Sequence, residues 1–538
     1  MHHPDWTMEF LEMYSVFPRM RRLPVLACTV LACLSTNSLT HAQSIGDPIK
    51  WPAYTPTLEY DFRKETAKID PPTKVLDDGV ENVKGTVVSG WWCFRYGPNV
   101  NPKLTENAWK PMLERLNQDA EYIRNEFGWP PDKRAKKGYY STVYLFGSGM
   151  STDDANSEAL GGWMGSVRHK GEDWPMVLLS YYPVWAYDPK FPKKEEAGYQ
   201  TGAVVHEYVH AIQADMPGCK KAAWFHEGGN NWVLGMMEAK RTGKTPESMG
   251  WLSAGSMLAP FLPIECYSGW LQDGSFGGPA AEGVDQGKDS QGRTYATWRK
   301  LLGGVAYSEA FPYFMGEFVS EKSIAWIWQN CPGTVLEGIA NAKGGLGDKQ
   351  TRRLITEYRG RAAMCDFGKW SPAYEKLLVD NWGAEIVAEG DPIWKKCEPW
   401  KATCYAKTTN ENGTLTPDPL TLPGWSGANQ IPLKVSGKTG DLIGVQFDPK
   451  GENMSCQLVY RAKDGSVVYS RPVEQGACAL RLVKPVKDDV VIAVICNTDY
   501  VFKGEKTRTA KYDYRLKLAK GIKDTADIHK QWFLGRRK

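Results

Sequence analysis

The sequence predicts an α+β protein, with a small sheet and its helices first and an all-β sandwich last. Residues 85–240 alternate short runs of β-branched and aromatic residues with longer segments of helical spacing, and residues 241–387 are mostly of helical spacing. From Ile431 onward the apolar residues instead alternate every second position, in short runs separated by turn signals. Because helices and strands bury faces with periods of about 3.6 and 2, this change predicts a separate β-domain.

Composition limits the class of protein. The 538 residues are 42% hydrophobic and 24% charged, which is typical of a globular protein with two or three domains. The net charge of +4 is small for this length, so no nucleic-acid partner is expected. No stretch after the first 42 residues is apolar for long enough to span a membrane. The 22 tryptophans predict a large aromatic core or, alternatively, a glycan-binding cleft.

The N-terminal residues predict export. Two arginines follow Met20, and the apolar run at 23–34 is too short to cross a bilayer. Residues 1–42 are therefore expected to be a signal peptide, with translation starting at Met20 and the mature protein secreted or periplasmic. The alternative is a lipoprotein anchored at Cys28 or Cys33, which fits less well because a leucine precedes the Ala-Cys pair in each case.

Cysteine usage fits an oxidising compartment. Removal of the signal peptide leaves ten of the 12 cysteines, enough for several disulfides. Cys397 and Cys404 are close enough in sequence for a local bridge, and Cys456, Cys478 and Cys496 fall on predicted strands. The spacing does not fix how they pair, and no two cysteines have the spacing of a zinc finger.

The first elements are predicted from composition and spacing. Residues 43–84 are rich in proline and are expected to form an extended arm. A helix is predicted over 106–127, with Thr105 as its N-cap. A loop that contains His169 is expected between the last two of the three strands. Those strands are predicted over 86–96, 140–146 and 175–182.

The next helix carries a metal-binding pattern, an H-E-x-x-H at residues 206–210. Residues four apart lie on the same face of a helix, so His206 and His210 can offer two imidazole nitrogens to one metal ion. Glu207 projects beside them, where it can hold a water and take its proton. Flanking apolar residues predict a buried helix, which the Pro-Gly pair at 217–218 ends. The alternative is a chance match on a core helix, which is rare in a chain with 8 histidines.

A second apolar helix offers the third ligand. A hydrolytic zinc site uses three protein ligands and keeps one position open. Glu227, separated from His210 by sixteen residues, can complete the set. Asn231 lies one helical turn further on, placed for a hydrogen bond to a ligand imidazole. His226 is the competing ligand, and the glycine pair that follows Glu227 is unusual inside a helix.

This pair of helices resembles the gluzincin class of zinc metallopeptidases, in which an H-E-x-x-H is followed by a Glu on the next helix and often by an Asp or Asn four positions later. The matching residues are His206, Glu207, His210, Glu227 and Asn231. The resemblance implies a bound Zn²⁺, a zincin-like catalytic domain and peptide-bond hydrolysis with Glu207 as the general base.

The same resemblance describes the surroundings of the site. In gluzincin-like folds a small sheet lies against the H-E-x-x-H helix, and its edge strand lines the cleft. Residues 175–182 or 140–146 would be that edge, and it would pair with an extended peptide through its free backbone groups. A narrower resemblance, over roughly residues 85–380, is to largely uncharacterised secreted bacterial proteins with an H-E-aromatic-x-H helix.

Residues 241–387 are expected to form the helical half of the catalytic domain. The glycine-rich stretch 271–292 is expected to be a long loop or a lid. Helices are predicted over 295–302, 310–318, 333–342, 348–363 and 372–381. Metallopeptidases commonly use a Tyr or His to stabilise the oxyanion, and ordinary packing is the alternative for every candidate. The candidates are Tyr267, Tyr295, Tyr307, Tyr313 and His169.

The C-terminal region is divided into a linker at 388–424, a sandwich at 425–520 and a tail at 521–538. The sandwich is expected to pack on the catalytic part, with binding to a surface or a glycan as the alternative.

Together these observations favour a secreted zinc peptidase that acts on a peptide or glycoprotein substrate. One alternative is a glycan- or surface-binding protein with a structural or degenerate zinc site. Another is a zinc hydrolase of a cell-wall amide or an ester, since the same ligands serve any of these carbonyls.

Overall fold

The computed structural model describes most of the chain between residues 71 and 524. The described residues are 71–100, 105–154, 162–180, 194–219, 222–249, 257, 260–261, 263–265, 286–288, 294–296, 309–380, 406, 408–417, 419, 422–462, 464–501, 512–519 and 521–524. The predicted signal peptide, most of the predicted arm and the Cys397–Cys404 pair lie outside them. None of the described helices is both long and apolar enough to cross a membrane.

Five strands form the first sheet, in the spatial order β1-β2-β3-β5-β4. They are β1 Gly85–Ser89, β2 Trp92–Tyr96, β3 Ser141–Phe146, β4 Gly162–His169 and β5 Glu172–Ser180. β2, β3 and β5 run parallel, whereas β1 and β4 are antiparallel to their neighbours. The strand predicted over 86–96 is thus a hairpin. It turns at Gly90, whose φ of 55° is a conformation that glycine adopts without strain.

The edge of this sheet differs from the prediction. Residues 162–169, expected to be a loop, form β4 and pair along their whole length with β5. Both strands expected at the edge, 140–146 and 175–182, are interior as β3 and β5. Within the described residues the edge strands are β1 and, beside β5, β4. Two glycines, Gly162 and Gly165, interrupt the apolar run of β4, so its order comes from pairing with β5 rather than from its own propensity.

Helices cover one face of the sheet. They include α1 Thr105–Asn125, α3 Lys194–Gln213 and α4 Ala223–Thr242. The short α2 Lys133–Lys136 contributes Ala135 to the same core, and its Arg134 donates to Tyr144 on the opposite face of the sheet. The helix predicted over 106–127 is α1, and Thr105 is its first residue rather than its cap. The helical face of the sheet contributes these core residues: Phe94, Val143, Leu145, Val177 and Leu179. The H-E-x-x-H helix α3 lies against β4 and β5, which brings its polar residues to the edge of the sheet.

The opposite face of the sheet is closed by the described part of the arm. Asp78, fully buried, reaches from this segment into a cluster of charged and polar groups. Its carboxylate accepts hydrogen bonds from Arg95 of β2 at 2.6 Å, from Arg134 of α2 at 3.1 Å and from the hydroxyl of Tyr144 of β3. The arm is therefore fixed to the sheet by a paired buried carboxylate.

The helical half largely follows the prediction. Four predicted helices are present, as α5 Ala310–Phe318, α7 Val335–Asn341, α8 Asp348–Ala363 and α9 Ser371–Asp380. The buried α6 Ser323–Asn330 and a 3-10 turn at Gly368–Trp370 fall outside the predicted helices. The helix predicted from residue 295 does not begin there, because β7 Thr294–Ala296 pairs with β6 Gln286–Lys288. The rest of the predicted lid lies outside the described residues.

The C-terminal region consists of two five-stranded sheets, in the orders β13-β12-β15-β10-β17 and β14-β11-β16-β9-β8, which share one apolar core. The strands are β8 Thr408–Glu411, β9 Thr414–Pro417, β10 Ala428–Gly437, β11 Leu442–Pro449, β12 Met454–Arg461, β13 Val467–Tyr469, β14 Gly476–Arg481, β15 Val486–Asn497, β16 Tyr514–Leu518 and β17 Ile522–Asp524. The predicted all-β region is confirmed. Its bounds are wider than 425–520, because β8 and β9 belong to the predicted linker and β17 to the predicted tail.

This β-region packs on the helical half, as expected. The helix α8 lies across β12 and β15, and the apolar residues of both regions form one continuous core. Buried hydrogen bonds also cross the boundary. Thr356 of α8 lies 2.8 Å from Ser455 of β12 between hydroxyl oxygens, and the hydroxyl of Tyr469 donates to Asp366 at 2.7 Å.

Candidate metal centre

The helices α3 and α4 bring the three predicted metal ligands together. Glu227 Oε2 lies 2.9 Å from His206 Nε2, and Glu227 Oε1 lies 3.5 Å from His210 Nε2. One ligand atom from each residue lies within 4.8 Å of the other two. Around a tetrahedral zinc with bonds of about 2.1 Å, ligand atoms are about 3.4 Å apart, so these separations fit the ion. Two imidazoles and a carboxylate are also the donor set that zinc hydrolases use.

Apolar packing holds the two helices in this arrangement. On α3 the residues around the histidines, including Val205, Val209 and Ile212, are buried, and on α4 the ring of Trp224 is buried beside the ligand turn. Small residues permit the close approach. A side chain at Gly202 of α3 would place its Cβ 3.0 Å from Leu234 of α4. The ligands are thus carried by regular, buried elements rather than by loops, which limits their freedom to move.

The side chain of Glu207 projects from α3 toward the edge strand β4. Its side chain is 5% exposed, and its carboxylate accepts a hydrogen bond from the backbone N–H of Met164. Burial raises the pKa of Glu207 to about 8, with the charge of His210 opposing the shift and that of Glu227 adding to it. A carboxylate with so few donors is a stronger base than one in water.

The second carboxylate of the site has the opposite electrostatic surroundings. Burial would raise the pKa of Glu227, but the charge of His210 and hydrogen bonds from both histidines hold that pKa well below its usual range. Glu227 is therefore ionised, as a metal ligand must be, while Glu207 is able to bind a proton. The two carboxylates of one small site are in this way assigned to different roles by their neighbours.

Two outer residues join the histidines, and neither is among the predicted site residues. Gln213 Oε1 lies 3.0 Å from His210 Nδ1, and Gln213 also donates to Asn230 at 2.6 Å. Asn230 in turn donates to the backbone carbonyl of His206 at 3.1 Å. Asn231, predicted for this role, is half-buried one turn after Glu227, and no hydrogen bond between described residues joins it to either histidine. The sequence signal that could have identified Gln213 is its spacing, because a polar residue three positions after His210 lies on the same face of the helix.

The competing ligand His226 lies outside the cluster. Its ring centroid is 6.5 Å from that of His210, and its Nε2 lies 3.2 Å from the carbonyl oxygen of Cys219. Its ring meets the edge of Trp328 with centroids 4.5 Å apart. His226 is therefore packed behind the ligand turn. Among the described residues, the group of His206, His210 and Glu227 is the one with metal-ligand geometry.

The described candidates for an oxyanion donor lie elsewhere. Tyr313 is buried between α4 and α9, with its ring 4.5 Å from Trp370, so the packing alternative holds for it. His169 ends β4 beside the exposed Asp77. The side chain of Tyr295, and Tyr267 and Tyr307 as a whole, lie outside the described residues.

Comparison with protein-family models, with curated proteins and with solved structures found no match to this chain.

Proposed function

We propose that the protein is a zinc-dependent hydrolase with a zincin-like catalytic part, and most simply a peptidase. The convergence of His206, His210 and Glu227 beside the undersupplied carboxylate of Glu207 carries this proposal. Zinc bound by those three residues would supply a water of lowered pKa, near 7, and would polarise the carbonyl of the substrate.

Glu207 is proposed to carry the proton. It sits one residue after a metal ligand, on the side of α3 that faces β4, and its raised pKa matches a group that accepts a proton near neutral pH. It would take the proton of the attacking water and return it to the leaving amine.

The edge strand supports a peptide as substrate. Among the described residues, β4 pairs with β5 on one side only, and every residue of the strand after the buried Gly162 is half-buried or exposed. An extended peptide could add to this edge through backbone hydrogen bonds, which would lay its carbonyls alongside α3. The predicted export signal fits this proposal, since a secreted or periplasmic peptidase meets peptides and glycoproteins outside the cell.

Substitution of Glu207 tests the proposal. The Glu207→Gln variant should retain zinc in the purified protein and lose at least about 10²–10³-fold of hydrolysis, because it removes the base and leaves the ligands. Glu172→Gln is the matched control, since Glu172 lies at the far end of the β4–β5 pair and its side chain is 43% exposed. Zinc content by elemental analysis and cleavage of casein would be measured together. If Glu207→Gln hydrolysed casein at the wild-type rate, Glu207 would not be the general base.

The substrate panel separates the alternatives. Casein, mucin and peptidoglycan, each with a chelator control, distinguish a peptidase from a hydrolase of cell-wall amides. A glycan-binding protein with a structural zinc site would bind polysaccharide and cleave none of them. That alternative has little support among the described residues, because every described tryptophan is buried except the half-buried Trp163. Failure of the purified protein to bind zinc would end the enzymatic proposals together.

A further inference from the structure

One chain of hydrogen bonds runs from the backbone of His206 to the ring of His210. Asn230 Nδ2 donates to the His206 carbonyl oxygen at 3.1 Å, Gln213 Nε2 donates to Asn230 Oδ1 at 2.6 Å, and Gln213 Oε1 lies 3.0 Å from His210 Nδ1. Asn230 is fully buried, and Gln213 is 2% exposed. Both amides are therefore shielded from the water that would otherwise compete for these bonds.

The direction of this chain is fixed at its first atom. A peptide carbonyl oxygen can only accept a hydrogen bond, so Asn230 must turn its NH₂ group toward His206 and its oxygen toward Gln213. Gln213 must then offer its own NH₂ group to Asn230, which leaves its oxygen facing His210. An amide oxygen only accepts, so the proton between them belongs to Nδ1 of His210. When the ring carries two protons, Nε2–H donates to Glu227, whereas a neutral ring that keeps its Nδ1 proton carries its lone pair on Nε2.

We propose that Gln213 and Asn230 are positioning residues that hold His210 in its Nδ1–H tautomer, with Nε2 ready for a metal ion before the ion arrives. The inference rests on the proposed function, since it concerns the same metal centre. It adds that the side-chain amides of Asn230 and Gln213 organise the centre. Through them the backbone carbonyl of His206 is linked by hydrogen bonds to the ring of His210. An outer partner of this kind contributes about 10–100-fold to metal affinity.

Substitution of Gln213 tests the proposal. Gln213→Met keeps the length of the side chain but removes the hydrogen bonds to Asn230 and to His210, so zinc affinity should fall by about 10–100-fold. Affinity is measured by competition with a chelator of known strength, on protein whose fold is checked by its thermal unfolding. A Gln213→Met variant that binds zinc like the wild type would overturn the proposal.

A neighbouring pair of asparagines supplies the matched control. Asn230→Asp replaces the donor to the His206 carbonyl by an acceptor and should lower zinc affinity. Asn231→Asp makes the same change one position away, at a half-buried residue that lacks a hydrogen bond to either histidine among the described residues, and should leave it unchanged. Equal losses of zinc affinity in the two variants would assign the effect to the added negative charge on α4. That result would contradict the proposed role of the Asn230–Gln213 hydrogen bond.

A measurement on the metal-free wild type separates this proposal from the proposed function. Nitrogen chemical shifts distinguish the two neutral tautomers of histidine, and at a pH where His210 is neutral they should report Nδ1–H in the wild type and a mixture in Gln213→Met. A wild type that binds no zinc but shows the Nδ1–H tautomer would contradict the proposed function and still support the role of Gln213 and Asn230 in fixing the tautomer. An Nε2–H tautomer in the wild type would contradict the role of Gln213 and Asn230 in fixing the tautomer, whatever the zinc affinity.

A different observation concerns the β-region, where two thiols meet in the core. Cys456 of β12 and Cys478 of β14 come from the two facing sheets and are both fully buried. Cys478 Sγ lies 3.5 Å from the carbonyl oxygen of Cys456 and 3.3 Å from Oγ of Ser470, and the two thiols hydrogen-bond to each other. Cys496, in the same region, faces the other side of its sheet, toward α8.

We infer that Cys456 and Cys478 form a disulfide site that links the two sheets. In the reaction one external disulfide, of a small molecule or an oxidoreductase, is reduced to two thiols that take up the two cysteine protons, and one Sγ–Sγ bond forms. The bond would close a loop between residues 22 positions apart, which restricts the unfolded chain and raises the Tm by several degrees.

Counting of thiols tests this site. The full chain is refolded with oxidised glutathione, denatured in an alkylating reagent without reductant, and mapped by mass spectrometry. Cys456 and Cys478 should be recovered as one linked peptide pair, and Cys478→Ala should lose both the pair and the rise in Tm. Cys496→Ala, the control, should lose neither. Alkylation of both Cys456 and Cys478 in the oxidised wild type would overturn the inference.

Discussion

The two faces of the first sheet each bury a carboxylate, and the two carboxylates differ in how many donors surround them. Asp78, on the arm side, receives hydrogen bonds from Arg95, Arg134 and Tyr144. Burial alone would raise the pKa of Asp78, but these partners outweigh it and hold the pKa below its usual range. Glu207, on the helical side, has one donor among the described residues, the backbone N–H of Met164, and burial raises its pKa to about 8.

The comparison shows that burial does not by itself make a carboxylate reactive. Burial disfavours the charge in both places, and the number of donors decides whether the group stays ionised. A saturated carboxylate such as Asp78 holds elements together, whereas an undersupplied one such as Glu207 is poised to take a proton. The same fold uses both, on opposite faces of one sheet.

The largest effect is expected from removal of the saturated carboxylate. Asp78→Ala would leave Arg134, 1% exposed at its side chain, as an uncompensated buried charge, so we expect a loss of about 3–5 kcal/mol in the free energy of unfolding. Asp77→Ala is the matched control, because Asp77 is 80% exposed and its ion pair with Lys170 lies at the surface, where water screens it. Denaturant unfolding followed by tryptophan fluorescence measures both. Equal stabilities of the two variants would contradict a structural role for Asp78.

The pH dependence of stability provides a second way to sharpen the comparison. The folded-state pKa of Asp78 is lower than its unfolded value of about 3.9, so the unfolded state binds the proton more readily. The stabilisation from Asp78 is therefore fully present above that unfolded value and is lost as the pH falls through the folded-state pKa. We expect the difference in stability between wild type and Asp78→Asn to be constant above about pH 5 and to shrink below about pH 4. A difference that stays constant down to pH 3 would show that ionisation of Asp78 does not contribute.

Local spacing explains what could be predicted from the sequence. His206, His210 and Glu227 stand at positions that depend only on helical geometry and on two helices folding back on each other, and the structure brings them together. The period of two beyond residue 431 likewise predicts strands, because it records which face each residue buries.

Non-local contacts explain what could not be predicted. β4 is ordered by its pairing with β5. Its glycines lower its strand propensity, so composition alone does not predict a strand there. Asn230 rather than Asn231 hydrogen-bonds to the candidate metal centre because of the rotation of α4 against α3, which packing sets and spacing does not. Asp78 is one polar residue in an irregular arm, and its partners come from three different elements.

The helical face should be sensitive to displacements of tenths of an ångström. A Cβ at Gly162 of β4 would lie 3.3 Å from Cγ of Glu207, so Gly162→Ala should shift that side chain. For the proposed hydrolysis, we expect kcat/KM on casein to fall by about tenfold, equivalent to about 1.4 kcal/mol, with the proposed zinc binding retained. Gly165→Ala is the control on the same strand, because its Cβ would meet Leu178 and Met176 at an ordinary 3.6 Å. Full activity in Gly162→Ala would show that Glu207 tolerates movement.

The smallest effect is expected where the buried partners are neutral. Thr356 of α8 and Ser455 of β12 share a hydrogen bond of 2.8 Å across the boundary with the β-region. Thr356→Val or Ser455→Ala alone should cost about 1 kcal/mol, because each leaves a buried hydroxyl with a lost partner. The double variant should cost less than the sum of the two single variants, since no orphaned group then remains. The free energies of unfolding of the four proteins measure this coupling, and strict additivity would mean that the shared hydrogen bond does not hold the two regions together.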